Sequence, residues 1–253
     1  MDKIEGGNIF EEGQILSFDK PLYWTSFDLV NKVRIMIRST FGIKKIKVGH
    51  AGTLDPLASG LMIICSGRAT KKIGEFSDLN KEYVATFHLG KTTPSFDLET
   101  ETDNEYPTDH ITEELVVKAI DKFRGEQKQL PPIYSAKLIE GKRAYEYARK
   151  GVMKELVPSV VYFHEIEILS FNMPEVTIRM LCSKGTYVRS FARDLGVALG
   201  SGAYLSALER TAIGNYNVKD AFSIEKFEDY INKMKPEVGS QKSEVERKEQ
   251  NEA

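Results

Sequence analysis

Apolar residues recur along this chain with two different periods, and these periods predict a mixture of strands and helices. Residues 81–89 alternate strictly between apolar and polar side chains, which is the pattern of a strand buried on one face. Shorter apolar or alternating runs predict further strands at 14–19, 61–65, 160–170 and 176–182, and an extended piece at 133–138.

Helical spacing of apolar residues predicts three longer helices. The first begins at Ser26, whose hydroxyl is the predicted N-cap, and the second begins at Thr112 and ends before Gly125. The third carries its apolar stripe from Val188 to Leu199. Shorter helices are predicted at 69–76, 143–150 and 224–231.

The order of these elements indicates the fold class. Strands and helices mix without a regular βαβ repeat, and no internal repeat is visible. This order predicts an α+β fold with a central mixed, largely antiparallel sheet flanked by helices and loops. Residues 1–13 are expected to be flexible, and the polar residues after about Lys233 are expected to be a disordered tail.

The patterns of cysteine, histidine and hydropathy argue against several classes of protein. The two cysteines lie far apart in apolar runs, and the four histidines stand singly, which argues against a disulfide framework and a metal site. The N-terminus has no apolar signal core, and no run is long enough to span a bilayer. We therefore expect a cytoplasmic protein without membrane contact.

Charge is distributed unevenly along the chain. Eight carboxylates and no Lys or Arg lie between Asp97 and Glu114, and without these eight the formal net charge of −2 would become +6. This acidic stretch is predicted to be a loop kept away from phosphate. Basic residues cluster at 34–47, 68–72, 142–150 and 184–193, which suits either an RNA backbone or ordinary solvated surfaces.

A glycine-rich segment at 49–60 holds the strongest candidate for chemistry. It places one carboxylate, Asp55, in a turn five residues after His50 and just before an apolar strand. A single carboxylate displayed beside a rigid strand suits a nucleophile better than a metal ligand. The alternative is that Asp55 only forms the turn, since Asp-Pro often begins one.

Several other segments join this loop to form one recognisable pattern. The sequence resembles the TruB family, the synthases that make pseudouridine 55 in the TΨC loop of tRNA, and the likeness covers roughly residues 14–222. The motifs that carry it are 19–21 with 25–26, 49–60, 81–83, 132–137, 141–149, 182–190 and 205–210.

The resemblance implies three catalytic residues. Asp55 would be the nucleophile, and Arg189 would pair with it and keep it ionised. Tyr83 would stack on the target base and is a candidate for removing the C5 proton. By position alone Arg189 would be a surface helix residue and Tyr83 a core tyrosine.

The resemblance also implies five substrate-binding residues. His50 would fill the space that the flipped-out nucleotide leaves, although a structural histidine is the alternative. Lys20 and Leu208 would line the uridine pocket. Tyr187 would face the site, and Asp97 would help to position partner groups.

The implied reaction is the isomerisation of uridine 55 on a flipped-out nucleotide, without cofactor or metal. The expected partner is the T-arm stem-loop of tRNA, bound by a monomer without guide RNA. Residues 14–225 would form the catalytic domain and 226–253 a short helix and charged tail, with no C-terminal PUA-type domain. A tRNA-binding folding helper with a dead site is the second hypothesis, and a glycoside hydrolase, which needs a second carboxylate, is the third.

Overall fold

The computed structural model describes residues 8–134, 138–139, 142–143, 147 and 156–234. The strands are β1 Ile15–Lys20, β2 Val48–Ala51, β3 Ala58–Ser66, β4 Lys81–Leu89, β5 Lys91–Thr92, β6 Asn104–Glu105, β7 Gly125–Gln129, β8 Leu138–Ile139, β9 Lys142–Arg143, β10 Ser159–Asn172, β11 Glu175–Cys182, β12 Ala203–Ile213 and β13 Tyr216–Asn217. The α-helices are α1 Asn8–Glu12, α2 Ser26–Phe41, α3 Ile73–Ser77, α4 Glu113–Asp121, α5 Val188–Ala198 and α6 Ile224–Lys233.

One nine-stranded sheet organises the described part of the chain. Its order is β1-β3-β12-β4-β11-β10-β7, with β2 paired to β3 and β13 paired to β12. Within this sheet β3 and β12 run parallel, and the other described pairs are antiparallel. Helices pack on it, which confirms the predicted α+β class with a mixed, largely antiparallel sheet.

The larger core cluster lies on the face of the sheet that the alternation in β4 predicted, and a smaller cluster that includes Leu61, Ile63 and Cys65 of β3 lies on the other face. Tyr83, Ala85 and Phe87 are buried in the larger cluster, and the side chains between them are only half-buried. Phe191 of α5 packs against Phe87 with ring centroids 5.4 Å apart. Helix α5, which begins at Val188, is therefore fixed against the middle of the sheet.

The N-terminal cap of α2 differs from the prediction. Thr25, not Ser26, is the N-cap, because its hydroxyl accepts a hydrogen bond from the Asp28 N–H while the Asp28 carboxylate accepts one from the Thr25 N–H. Ser26 is buried instead, and its hydroxyl both donates to the Leu54 carbonyl and accepts from the Leu54 N–H. The two adjacent hydroxyls are equivalent in sequence, and the tertiary contact decides between them.

Several element boundaries were also wrong. The predicted helix at 69–76 is a 3-10 helix, Gly67–Lys72, followed by the short α3. Helix α4 ends at Asp121, and Gly125 begins the unpredicted strand β7. Within the N-terminal segment expected to be flexible, residues 8–12 form α1, and Phe10 is fully buried.

The acidic stretch and the region after it gave mixed outcomes. The stretch is loop apart from the two-residue β6 and the start of α4. Arg143 lies in β9 rather than at the start of a helix. The remainder of the predicted helix at 143–150, apart from residue 147, lies outside the described residues, as do positions 135–137, 141, 144–146 and 148–149 of the motifs.

Candidate active site

The loop that carries Asp55 connects β2 to β3, which pair as an antiparallel hairpin. Two neighbours of Asp55 are held by the segment that begins α2: Leu54 by the Ser26 hydroxyl, and the Pro56 carbonyl by the Tyr23 N–H at 2.7 Å. The Asp55 side chain itself is 42% exposed. The loop is thus fixed on both sides of a carboxylate that solvent and substrate can reach.

Asp55 faces a cavity of about 310 Å³, which is in the range of small-molecule pockets. Five of the eight predicted site residues line it: Asp55, Tyr83, Tyr187, Arg189 and Leu208. They come from the β2–β3 loop, β4, the start of α5 and β12. Residues that are far apart in sequence therefore converge on one pocket.

Arg189 is nearly buried and lies between two carboxylates. Its Nη2 lies 2.9 Å from Oδ2 of Asp55, and its Nε lies 3.5 Å from Oδ2 of Asp97. The guanidinium also donates to the carbonyls of Ser95 and Tyr134, at 3.4 and 2.9 Å. These contacts fix the position and direction of the guanidinium beside the Asp55 carboxylate.

Asp97 lies behind Arg189 rather than on the wall of this cavity. Its side chain is buried, and one carboxylate oxygen accepts a hydrogen bond from the Glu99 N–H at 2.9 Å. Asp97 thus differs from most of the acidic stretch, whose residues are largely exposed. It can position Arg189, as the resemblance implied, and it lines a smaller adjoining cavity together with Asp55 and Leu208.

Tyr83 forms the floor of the cavity at the start of β4. Burial raises the pKa of its phenol, so the group is neutral at physiological pH. Leu208 lines the same pocket, and its backbone pairs with Ala85 two residues along β4. Together they provide an aromatic and an aliphatic surface suited to a planar base.

Arg210 is a functional residue that the sequence reasoning missed. Its buried guanidinium donates to the carbonyls of Leu61, Thr53 and Gly52, at 2.7, 3.5 and 3.2 Å. Its backbone pairs with Gly60, where a Cβ atom would lie 2.4 Å from the Arg210 carbonyl oxygen. Arg210 therefore supports the loop that carries Asp55, and the only sequence signal was its place in the 205–210 motif.

Lys20 is not among the residues that line this cavity, although its charge lies near that of Asp55. Its side chain is fully buried, and its ammonium donates to the carbonyls of Pro21 and Trp24, at 2.8 and 2.7 Å. Burial lowers its pKa to about 8, although the nearby Asp55 charge opposes this shift. Lys20 supports the turn beside the loop that carries Asp55. Another buried lysine, Lys81, lines the cavity.

His50 lies within β2 and is also not on the cavity wall. Burial lowers the pKa of its imidazole, and its Nδ1 atom finds no hydrogen-bond partner among the described residues. It is therefore neutral at pH 7. Its place next to the catalytic loop is compatible with the predicted role of filling the vacated stacking space.

A buried glutamine holds the start of α5. Oε1 of Gln129 accepts from the Tyr187 N–H at 2.8 Å, and its Nε2 donates to the Tyr187 carbonyl at 3.1 Å. Leu130, which follows Gln129, makes a second contact with this helix, because its carbonyl accepts a hydrogen bond from the Ser190 hydroxyl. The end of β7 thus positions the first turn of α5, which carries Arg189.

Comparison with known proteins identifies the family. The profile described as "TruB family pseudouridylate synthase (N terminal domain)" matches residues 38–188, and that described as "tRNA pseudouridylate synthase B C-terminal domain" matches residues 189–243. The chain belongs to the TruB family. It is therefore a pseudouridine synthase, an isomerase of the class that acts on tRNA.

Individual TruB relatives agree with this assignment. The protein named tRNA pseudouridine synthase B from Phocaeicola vulgatus is 55% identical over 90% of this chain and 97% of its own length. Its namesake from Flavobacterium johnsoniae is 51% identical over 87% of this chain and 96% of its own length. The similarity thus extends over nearly the whole length of each relative.

A solved structure supports the fold. A chain in the crystal structure of a Cbf5-Nop10-Gar1 complex is 26% identical, with a TM-score of 0.64 over 87% of this chain. This chain spans only 55% of that longer chain.

In the described ranges no helix could span a membrane, and no group of three His, Cys, Asp or Glu side chains is placed to hold a metal ion.

Loss of the two hydrogen bonds between Gln129 and Tyr187 should affect catalysis, because these bonds position the start of α5. We expect Gln129→Met, which removes both hydrogen bonds at similar volume, to lower the unfolding free energy by about 1–3 kcal/mol and to reduce kcat more than it raises KM. Gln127→Met on the same strand is the matched control, because Gln127 only donates to the Lys122 carbonyl at the surface. Denaturant unfolding and steady-state kinetics test this, and equal behaviour of the two variants would contradict it.

Proposed function

We propose that this TruB-family chain converts uridine 55 in the TΨC loop of tRNA to pseudouridine, with Asp55 as the nucleophile on a flipped-out nucleotide. The observation that carries the proposal is the ion pair of 2.9 Å between Asp55 and the buried Arg189 at the wall of the cavity. A carboxylate in this setting is exposed on one side and has a fixed direction, as a nucleophile needs.

The reaction makes few demands beyond such a site. The N1–C1′ glycosidic bond breaks, a C5–C1′ bond forms, and the C5 proton is lost while N1 gains one. No atom is oxidised, and the product has the same composition as the substrate. Asp55 bonds covalently to the nucleotide and is released again, which allows the detached base to turn without leaving the pocket.

The cavity walls suit a base that has left its stack. Tyr83 and Leu208 offer an aromatic and an aliphatic surface, and Tyr187 lines the same pocket. In this proposal His50 fills the gap in the RNA, which lowers the cost of extrusion. Tyr83 lines the cavity and is the proposed candidate for proton removal at C5, a role in which its phenol would have to give up its own proton.

The proposed substrate is the T-arm stem-loop, bound by a monomer without guide RNA in the cytoplasm. The likeness to tRNA pseudouridine synthase B over nearly the full length of those relatives supports recognition of tRNA alone. The likeness to a chain from a Cbf5-Nop10-Gar1 complex covers only about half of that chain and therefore gives no support for a shared assembly.

Release of tritium tests the proposal directly. The purified protein is incubated with a T-arm stem-loop containing 5-tritiated uridine, without guide RNA, metal or nucleotide. We expect release of one tritium per RNA, and no release from the same RNA with cytidine at position 55 and tritiated uridine elsewhere. Binding of the stem-loop without release would instead favour a folding helper, and a requirement for guide RNA would contradict stand-alone recognition.

A further inference from the structure

An exposed aromatic surface lies beside the catalytic loop and has no part in the cavity. Tyr23 is 74% exposed and Phe27 is 65% exposed, although they are large apolar side chains. Tyr23 lies in the turn between β1 and α2, and Phe27 is the second residue of α2. We call Tyr23 and Phe27 the aromatic platform.

The platform is connected to the chain on either side of Asp55. The Tyr23 N–H donates to the Pro56 carbonyl at 2.7 Å, and Pro56 directly follows Asp55. Ser26, which precedes Phe27, is hydrogen-bonded through its hydroxyl to both backbone groups of Leu54, which precedes Asp55. The backbone that carries the two aromatic side chains is therefore fixed relative to the loop that carries Asp55.

The backbone at Tyr23 would suit a glycine better than a tyrosine. The Trp24 N–H bonds to the Pro21 carbonyl at 3.4 Å, which makes Tyr23 the third residue of a turn. Its φ is +67°, in the left-handed region that side chains with a Cβ atom disfavour. The buried ammonium of Lys20 binds the carbonyls of Pro21 and Trp24 and so holds this turn in place. An exposed aromatic side chain kept in a strained conformation indicates a functional role.

We propose that the aromatic platform stacks on an unpaired base of the RNA substrate, next to the nucleotide that enters the cavity. Exposed aromatic rings bind single-stranded bases because every base has a π-face. The fixed link to both neighbours of Asp55 places such a base close to the target nucleotide. The inference rests on the proposed function, since it identifies how the same RNA is held.

Replacement of Tyr23 separates a binding role from a structural one. Glycine suits the left-handed turn, so Tyr23→Gly is expected to leave the thermal unfolding temperature unchanged or raised. Loss of the ring should weaken binding of the T-arm stem-loop about fivefold or more, with kcat at saturating RNA within about twofold of wild type. Phe27→Ala should also weaken binding, whereas Val197→Ala, at a similarly exposed position on α5, should not.

Abasic RNA shows whether a base is the partner. Each unpaired loop position except the target is made abasic in turn, and binding is measured with wild type and Tyr23→Gly. We expect one position at which the abasic change weakens binding to wild type but causes no further loss with the variant. The platform is refuted if Tyr23→Gly binds the stem-loop as tightly as wild type, or if no loop position shows this coupling. In either case, turnover by the wild-type protein would still uphold the proposed function. Failure of the wild type to turn over would refute the proposed function instead.

Discussion

Replacement of Asp55 by alanine is expected to lower pseudouridine formation by at least about 10⁴-fold, the scale on which loss of a nucleophile acts in other enzymes. The physical reason is that the cavity wall has no other carboxylate in a comparable position within the described chain. Asp97 is the nearest alternative by sequence pattern, but it is buried behind Arg189. Tritium release from the T-arm stem-loop, measured over hours, gives the residual rate.

The controls for this variant separate chemistry from binding and folding. Asp55→Asn keeps the shape of the side chain but removes its charge, and it should be as inactive as Asp55→Ala. Both should bind the stem-loop within a few-fold of wild type. Asp103→Ala in the acidic stretch should keep full activity, because the Asp103 carboxylate accepts a hydrogen bond from the Thr92 hydroxyl at the surface, away from the cavity. A residual rate within tenfold of wild type would mean that another group is the nucleophile.

Replacement of Arg189 by methionine should damage both activity and stability. Asp97 would then be a buried carboxylate without its cation, and breaking a buried pair in this way costs about 3–5 kcal/mol. The carbonyls of Ser95 and Tyr134 would also lose a donor. We expect a lower denaturation midpoint and a rate close to that of Asp55→Ala.

A second substitution distinguishes the two losses. Arg189→Met combined with Asp97→Asn removes the buried unpaired charge, so it should recover much of the lost stability but none of the activity. Arg179→Met is a suitable control, because Arg179 pairs with Glu82, Glu165 and Glu167 on the more exposed face of the sheet and does not line the cavity. If Arg189→Met unfolds like wild type, the ion pair with Asp97 does not contribute to stability.

Some elements were predicted well because the pattern of apolar and polar residues that specifies them lies within the element itself. Strand β4 has the predicted bounds, since its alternation is strict and one face is buried. Strand β12 was not predicted, because its buried side chains follow no simple alternation and its pairing with β4 shifts register at two places. Strand β7 was missed because its residues are polar, and only its pairing with β10 shows that it is a strand.

The same distinction applies to the site. Asp55 and Arg189 could be named from motifs, and the structure brings them together. The hydrogen bonds of Lys20 could not be predicted, because sequence cannot show that its ammonium turns toward the carbonyls of Pro21 and Trp24. Arg210 was missed for the opposite reason, since a buried arginine that binds backbone carbonyls looks in sequence like any strand residue.

The bond from Arg210 to the Leu61 carbonyl joins residues 149 positions apart. The loop that presents Asp55 therefore depends on a strand made late in synthesis, after most of the sheet. Contacts of such long sequence separation form slowly, because the intervening chain must first be ordered. A nascent or truncated chain that ends before β12 cannot assemble this support, so the protein should begin to modify RNA only once its last strands are in place.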